Sequence, residues 1–407
     1  MFELVLIVSA LGFVMASLPR YRAGNPFQVY FAVWFFFFIV YGASRSTWVA
    51  VGEVFWQVVL LIHLVWLLGL VFYRNVLAKG PPVQFNIHRI RQVPLFVMQL
   101  ACALLLPLAY MKAQQISGGV YLFEHDGYRG LRHKLSEEEI GYGWTAYLVV
   151  LSFVVTSVTA ILKFHGKIGW SRFSGSIIIS LGYAFLSTGR TFILMFFILV
   201  LAPLFLTGLI KGRALVIAAA VMLGFFLLNA MLLGKGASLE SSIAENLGDF
   251  LQNIRGYTVA PFVAFSRLME SQTDTAGGEY TFRFLYKIFD TIGFSGLEVT
   301  RLIRDYDAVP DLTNVYTVYD PYFRDFGYFG FCIAPMLMAF HGYLYRRAQR
   351  GSEIYVFLYS ASLYPLAMQF FQDQYVSLLS TWIQVTAWYL ILVGPRIRIR
   401  IRGREHD

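Results

Sequence analysis

Apolar residues in this chain come in long unbroken runs joined by short polar connections, without the period-two alternation of a barrel strand. Runs long enough for a helix to cross a hydrocarbon core of ~30 Å, at ~1.5 Å per residue, lie at 4–19, 26–42, 54–73, 93–111, 143–162, 214–233, 327–345, 354–370 and 376–395. The stretch 174–210 is too long for one crossing and carries Ser187-Thr188-Gly189-Arg190 at its middle. An arginine at the centre of a spanning helix costs about 2.5–3.5 kcal/mol on the insertion scale, whereas a turn brings it to a membrane surface. The stretch therefore divides into 174–188 and 191–210. The pattern predicts an all-α polytopic membrane protein with about eleven spans, residues 1–407 forming one integral membrane domain.

Composition supports that class. Apolar residues make up 57% of the chain and charged residues only 14%, too few to cover a water-facing surface. Mean hydropathy is +0.60. The net charge of +9 follows a spatial rule. Most basic residues fall in alternate connections: Arg20 and Arg22; Arg74, Lys79, Arg89 and Arg91; Lys163, Lys167 and Arg172; Lys211 and Arg213; Arg346, Arg347 and Arg350; and the tail from Arg396 to Arg404. Positive charge marks the cytoplasmic side, so the N-terminus is expected outside and the C-terminus inside. The basic pI then reports topology, nucleic acid is not an expected partner, and the tail 396–407 reads as a cytoplasmic anchor. Met1-Phe2-Glu3 lacks a basic n-region, which predicts a retained first span. Cys102 and Cys332 lie inside apolar runs, which argues against a disulfide framework.

Two outside loops exceed what connection requires, 112–143 and 234–326. In the larger, Ser242-Ile243-Ala244-Glu245 fits a capping box, and Leu239, Ile243, Leu247, Phe250, Leu251 and Ile254 recur at helical spacing. Phe282, Phe284, Leu285, Tyr286, Ile288 and Phe289 make an aromatic segment too short to span. Both suit helices lying at the outer membrane face.

Familiar catalytic signatures for nucleotides, serine hydrolases and zinc proteases are absent, and no histidine lies between Gly234 and Phe326. No metal and no cofactor are expected, and His63 and His341 read as packed or capping residues. The outer surface instead offers arginine: Arg45 and Arg190 at hairpin tips, and Arg255, Arg267, Arg283, Arg301, Arg304 and Arg324 in the large loop. A guanidinium forks onto phosphate oxygens, so it suits a diphosphate at a lipid headgroup; the alternative is snorkelling or pairing with carboxylates. A second constellation, Asn314 to Gly330, combines amide, hydroxyl, carboxylate and guanidinium groups with tyrosines just before a span. It suits sugar recognition, or an interfacial aromatic belt.

Asn314-Val315-Tyr316-Thr317, followed by Asp325-Phe326-Gly327 and Gly330, resembles the signature of the Wzy-type O-antigen, or oligosaccharide repeat-unit, polymerases. Ser187-Thr188-Gly189-Arg190-Thr191 is similar to that family's small-residue-plus-arginine turn, and Gly256-Tyr257 with Pro261 and Phe265 resembles its loop helix. The resemblance implies a metal-independent, GT-C-like membrane glycosyltransferase of the bacterial inner membrane. Such an enzyme joins undecaprenyl-diphosphate-linked oligosaccharides on the periplasmic face. Its implied partners are that lipid-linked oligosaccharide and membrane lipids, with a chain-length regulator and a repeat-unit flippase as candidates. On this reading Arg190 stabilises the departing diphosphate, helped by Arg255 or Arg283. Asp325 and Asp320 are candidate bases, with Glu279 behind them. Asn314, Tyr316 and Tyr257 position sugar or diphosphate, and Arg45, Thr317 and Arg324 complete the candidate binding set. An O-antigen ligase shares the architecture, but ligases carry a histidine in the large loop. A transporter would need ionisable groups along a path through the spans, which here hold almost no charge.

The topology is directly testable. Reporters fused at Gly212 and Ala348 are expected to read as cytoplasmic, and those at Gly130 and Gly277 as periplasmic. A cytoplasmic readout at Gly277 would remove the large loop from the outer face.

Overall fold

The computed structural model describes residues 1–80, 83, 85–136, 138, 140–232, 243–293 and 299–394. The capping-box Ser242, Leu239 and the basic tail lie outside the described residues.

The described chain is mostly helical. Helices α1 (Phe2–Ala16), α2 (Pro26–Ser44) and α3 (Glu53–Phe72) are followed by a single turn, α4 (Arg74–Leu77). Then come α5 (Gln92–Ile116), α6 (His125–Ser136), α7 (Ala146–Phe164), α8 (Trp170–Leu186), α9 (Arg190–Leu206) and α10 (Gly212–Leu232). Beyond these lie α11 (Ile243–Ser271) and α12 (Arg283–Thr291), and a two-residue hairpin of β1 (Asp307–Ala308) and β2 (Leu312–Thr313). The chain closes with α13 (Asp320–Phe326), α14 (Ile333–Gln349), α15 (Glu353–Ala367) and α16 (Leu379–Val393). Each apolar run of the sequence holds a helix, displaced by a few residues at its ends. Among the described residues, five helical segments are long and apolar enough to cross a membrane: Pro26–Thr47, Glu53–Phe72, Gln92–Ile116, Gly143–Phe164 and Asp320–Gln349.

Two apolar clusters form the interior. One gathers α1, α2 and α3 with the middle of α11 and with α14; the other surrounds α7, whose residues from Leu148 to Leu162 are all buried. Helix α15 contributes to both, packing on α2 and α14 and also on α9 and α16. Small polar residues let the helices of the second cluster approach. The Thr156 hydroxyl lies 2.7 Å from that of Ser180, and Ser157 donates to the Leu199 carbonyl at 2.5 Å. In the first cluster His63 is enclosed by the rings of Tyr30, Phe31, Trp34 and Phe38, its Nδ1 2.8 Å from the Val59 carbonyl. His341 is equally buried, against the Ser362 and Tyr375 hydroxyls. Both histidines are packing residues.

The stretch 174–210 does break. Helix α8 ends at Leu186 and α9 starts at Arg190. Between them Thr188 has φ +52°, which is rare for a β-branched residue and strained there. Helix α11 carries Pro261 in its interior, where no main-chain N–H exists to close the helical hydrogen bond to the Tyr257 carbonyl. Around Pro261 the helix is wholly buried, from Thr258 to Ser266, and it is fastened to the loop before α3 by Ser266 Oγ accepting from the Gly52 amide at 2.9 Å.

Candidate functional site

The turn between α8 and α9 opens onto a cavity of about 1160 Å³. Helix α9 begins there without a side-chain cap, and its first residues Arg190 and Thr191 line the cavity with the positive end of the helix dipole. The last carbonyls of α8 are taken by tyrosines from the smaller loop. The Tyr128 hydroxyl donates to Phe185 at 3.0 Å and the Tyr142 hydroxyl to Leu186 at 2.6 Å, while the Tyr128 ring stacks on Phe185 at 4.6 Å.

Those bonds dock α6, which is amphipathic. Tyr128 and Leu131 face inward, and Arg129, Arg132 and His133, spaced at i, i+3 and i+4, line the cavity. None of these three was expected at the site. Their helical spacing in a loop otherwise poor in apolar residues was the available signal.

Opposite α6 stands α11. Tyr257 lies under the Arg190 guanidinium, 5.4 Å from centroid to carbon, and its other neighbour is Phe371 at 6.0 Å. Gly256 admits the β1–β2 hairpin: a side chain there would bring a Cβ within 3.3 Å of Asp311 Oδ2. Arg267 holds that hairpin, 3.0 Å from Asp307 Oδ1 and donating to the Ala308 carbonyl at 2.8 Å. Asp311, Asn314 and Val315 then complete the wall, with Phe371 and Gln372 from the α15–α16 connection. Among the described residues the lining holds three arginines and one histidine, the latter also 3.7 Å from Glu138, with Asp311 as its carboxylate.

Of the candidate residues, Arg190, Tyr257 and Asn314 meet in this cavity. Arg255, one position before Gly256, is turned onto the Trp48 ring at 5.6 Å. Arg45 pairs with Glu3 at 3.2 Å, away from the cavity. Arg283 donates to the Thr300 carbonyl at 2.6 Å, at the start of α12. Thr317 is fully buried, its carbonyl accepting from the Asp320 amide. Tyr316 and Arg324 line a second, smaller cavity.

The two candidate bases serve backbone and ion-pair partners. Asp320 accepts from Arg304 Nε at 2.9 Å and Arg324 Nε at 2.6 Å, and is almost wholly buried. Asp325 accepts the amides of Tyr280 and Thr281 at 3.1 and 2.5 Å. Neither lines the large cavity. Beneath them runs a polar turn after α15. Asp373, also buried, accepts from the Tyr322 hydroxyl and from the amides of Tyr375 and Ser377. Burial pushes its carboxyl above the usual range, against the pull of these donors. The Gln369 carbonyl takes the Val318 amide at 2.8 Å, so this turn anchors the 314–326 segment from below. Among the described residues no group of three or more His, Cys, Asp or Glu side chains is arranged to hold a metal ion.

Comparison with known proteins gives two similarities. The chain is 24% identical over 139 residues to a protein of Escherichia coli (strain K12) named "Putative O-antigen polymerase", covering 33% of this chain and 34% of that protein. It is 25% identical over 200 residues to an "O-antigen polymerase" of Shigella dysenteriae, covering 47% of this chain and 48% of that one. The chain thus spans about a third to a half of the length of these relatives. No family model and no solved structure matches it.

The Asp325 geometry predicts a stability effect. Asp325→Ala leaves two amides without their acceptor and should destabilise the protein by about 1–3 kcal/mol, whereas Asp325→Asn keeps one carbonyl oxygen and should lose less. Thermal unfolding of the purified protein in detergent checks both. Unchanged melting of Asp325→Ala together with lost activity would instead make Asp325 a catalytic group.

Proposed function

We propose that this protein is a membrane glycosyltransferase that polymerises undecaprenyl-diphosphate-linked oligosaccharide repeat units, for O-antigen or a related surface polysaccharide, on the periplasmic face of the inner membrane. One observation carries the reading: Arg190, Tyr257 and Asn314, from three separated motifs of that resemblance, line one cation-rich cavity. The similarity to two proteins named as O-antigen polymerases supports it.

The donor is the growing glycan on its lipid diphosphate, and the acceptor is a hydroxyl of the incoming lipid-linked unit. The hydroxyl oxygen attacks the anomeric carbon, and the bond from that carbon to the diphosphate oxygen breaks with its electron pair on the leaving group. The hydroxyl proton passes to a carboxylate. Negative charge thus grows on the diphosphate, and donors fixed beside it bind the transition state more strongly than the ground state. Arg190 and the first-turn amides of α9 are placed for this, with Arg129 and Arg132 across the cavity. Asp311, the carboxylate among the lining residues, is the group best placed to receive the proton. Asp320 and Asp325, with Arg324, hold the 314–326 segment so that Asn314 reaches the wall.

In this mechanism the guanidinium groups and the helix dipole supply the positive charge on the diphosphate, so no divalent ion is required. A second reading has one observation in its favour. His133 brings to the cavity a histidine that the large loop lacks, and a ligase would use one there. Supplying a lipid A–core acceptor beside the lipid-linked units separates the two, since a ligase would label the core and a polymerase would lengthen the glycan.

Purified protein given lipid-linked repeat units should form polymer at an undiminished rate in EDTA. Loss of activity that a divalent ion restores would sink the metal-free mechanism. Arg190→Ala should lower polymer formed per inserted molecule by about 10²–10³-fold, and Arg190→Lys should rescue poorly because it lacks the planar fork. Normal specific activity in Arg190→Ala would remove the role assigned to this residue.

A further inference from the structure

Ile303 and Tyr306 line the large cavity on one side and, on the other, a second cavity of about 500 Å³. The chemistry of the two differs. In the second, three of the four lining arginines are engaged by acids of the protein itself: Arg267 by Asp307, and Arg304 and Arg324 by the buried Asp320, with Arg301 as the fourth. The same guanidinium groups clamp aromatic rings. Arg304 and Arg324 lie 4.4 and 5.5 Å from the Tyr280 ring centroid, and Arg324 lies 5.1 Å from that of Tyr316. Asp305 and Asp307 add carboxylates to the lining, and Ser271 of α11 adds a hydroxyl.

With Asp305, Asp307 and Asp320 set against four arginines, most of the positive charge is held by internal carboxylates, which weakens the attraction for an anion. What remains is the partly exposed Tyr280 ring, fixed in orientation beside the buried Tyr316 and surrounded by groups that accept and donate hydrogen bonds in several directions. That combination suits an uncharged ring bearing many hydroxyls, whose C–H groups lie against the exposed part of the Tyr280 ring while its hydroxyls bond outward. The described lining of the large cavity is the more basic of the two, with three arginines, a histidine and one aspartate.

We infer that the second cavity is a saccharide subsite, taking uncharged, hydroxyl-rich sugars of the glycan at a distance from the sugar that carries the diphosphate. The orientation, though not the chemistry, rests on the proposed diphosphate site in the large cavity. The Ile303–Tyr306 segment is then the partition that the glycan passes between its charged end and its neutral body.

Two probes bound to purified full-length protein in detergent test this by calorimetry: inorganic pyrophosphate, and the lipid-free oligosaccharide released by mild acid from the lipid-linked repeat units of the source organism. Tyr280→Ala and Ser271→Trp, the latter filling the cavity from an exposed position on α11, should each weaken oligosaccharide binding about tenfold or more. Tyr280→Phe, which keeps the ring, should retain most of it. Arg190→Ala should leave oligosaccharide affinity unchanged and weaken pyrophosphate. Wild-type oligosaccharide affinity in both Tyr280→Ala and Ser271→Trp overturns the subsite. So does oligosaccharide binding that Arg190→Ala abolishes, or no oligosaccharide binding to the wild-type protein. Pyrophosphate affinity indifferent to Arg190→Ala, with the oligosaccharide pattern as expected, would instead retain the subsite and overturn the diphosphate reading.

Discussion

A guanidinium has no stable place in hydrocarbon, and Arg190 stands in the middle of the longest apolar stretch of the chain. The chain meets that constraint by ending one helix and beginning another. Thr188 takes a left-handed conformation that costs roughly 1–3 kcal/mol and is held there by its surroundings. Much of the site depends on this break. The open carbonyls at the end of α8 recruit Tyr128 and Tyr142 and so dock α6. The start of α9, with the positive end of its dipole, lies at the cavity, and so does the arginine that forced the break.

The opposite wall rests on a different interaction. Asp320 sits between two arginines in near-complete burial, and removing either partner of such a group is far more damaging than the net value of the pair suggests. That triad, the Asp325 bonds to Tyr280 and Thr281, and the polar turn around Asp373 fix α13 and the irregular residues that lead into it. The loop from Asn314 to Phe326 is therefore a rigid wall, although it is built largely from side-chain bonds to backbone.

The helices were legible because apolar run length and helix length are tied by the same geometry, and the turn at Ser187–Arg190 because charge and glycine cannot both sit mid-span. Residue chemistry pointed to Arg190 and the resemblance to Tyr257 and Asn314, and the structure brings these three to one cavity. Residue chemistry could not separate Asp311 from Asp320 and Asp325, since what distinguishes these carboxylates is the identity of partners up to some 45 positions away. Arg129, Arg132 and His133 were not legible as site residues, although their loop exceeds what connection requires, because its docking depends on two tyrosine hydroxyls reaching a helix end some 44 to 57 positions further on. The Gln369–Tyr375 turn was hidden for another reason: it is a brief polar interruption between two apolar runs, and only burial shows that its amides and carboxylate are structural.

Pro261 has a mechanical meaning. A helix resists bending through its ladder of main-chain hydrogen bonds, and α11 lacks one rung between the half that carries Tyr257 and the half packed in the apolar interior. Its stiffness is therefore uneven along its length. Flexure concentrates next to the ring that lies under Arg190, while the buried half keeps its register. The wall of the cavity formed by α11 is thus compliant at one place, and the space of about 1160 Å³ beside it can change width without disturbing the core.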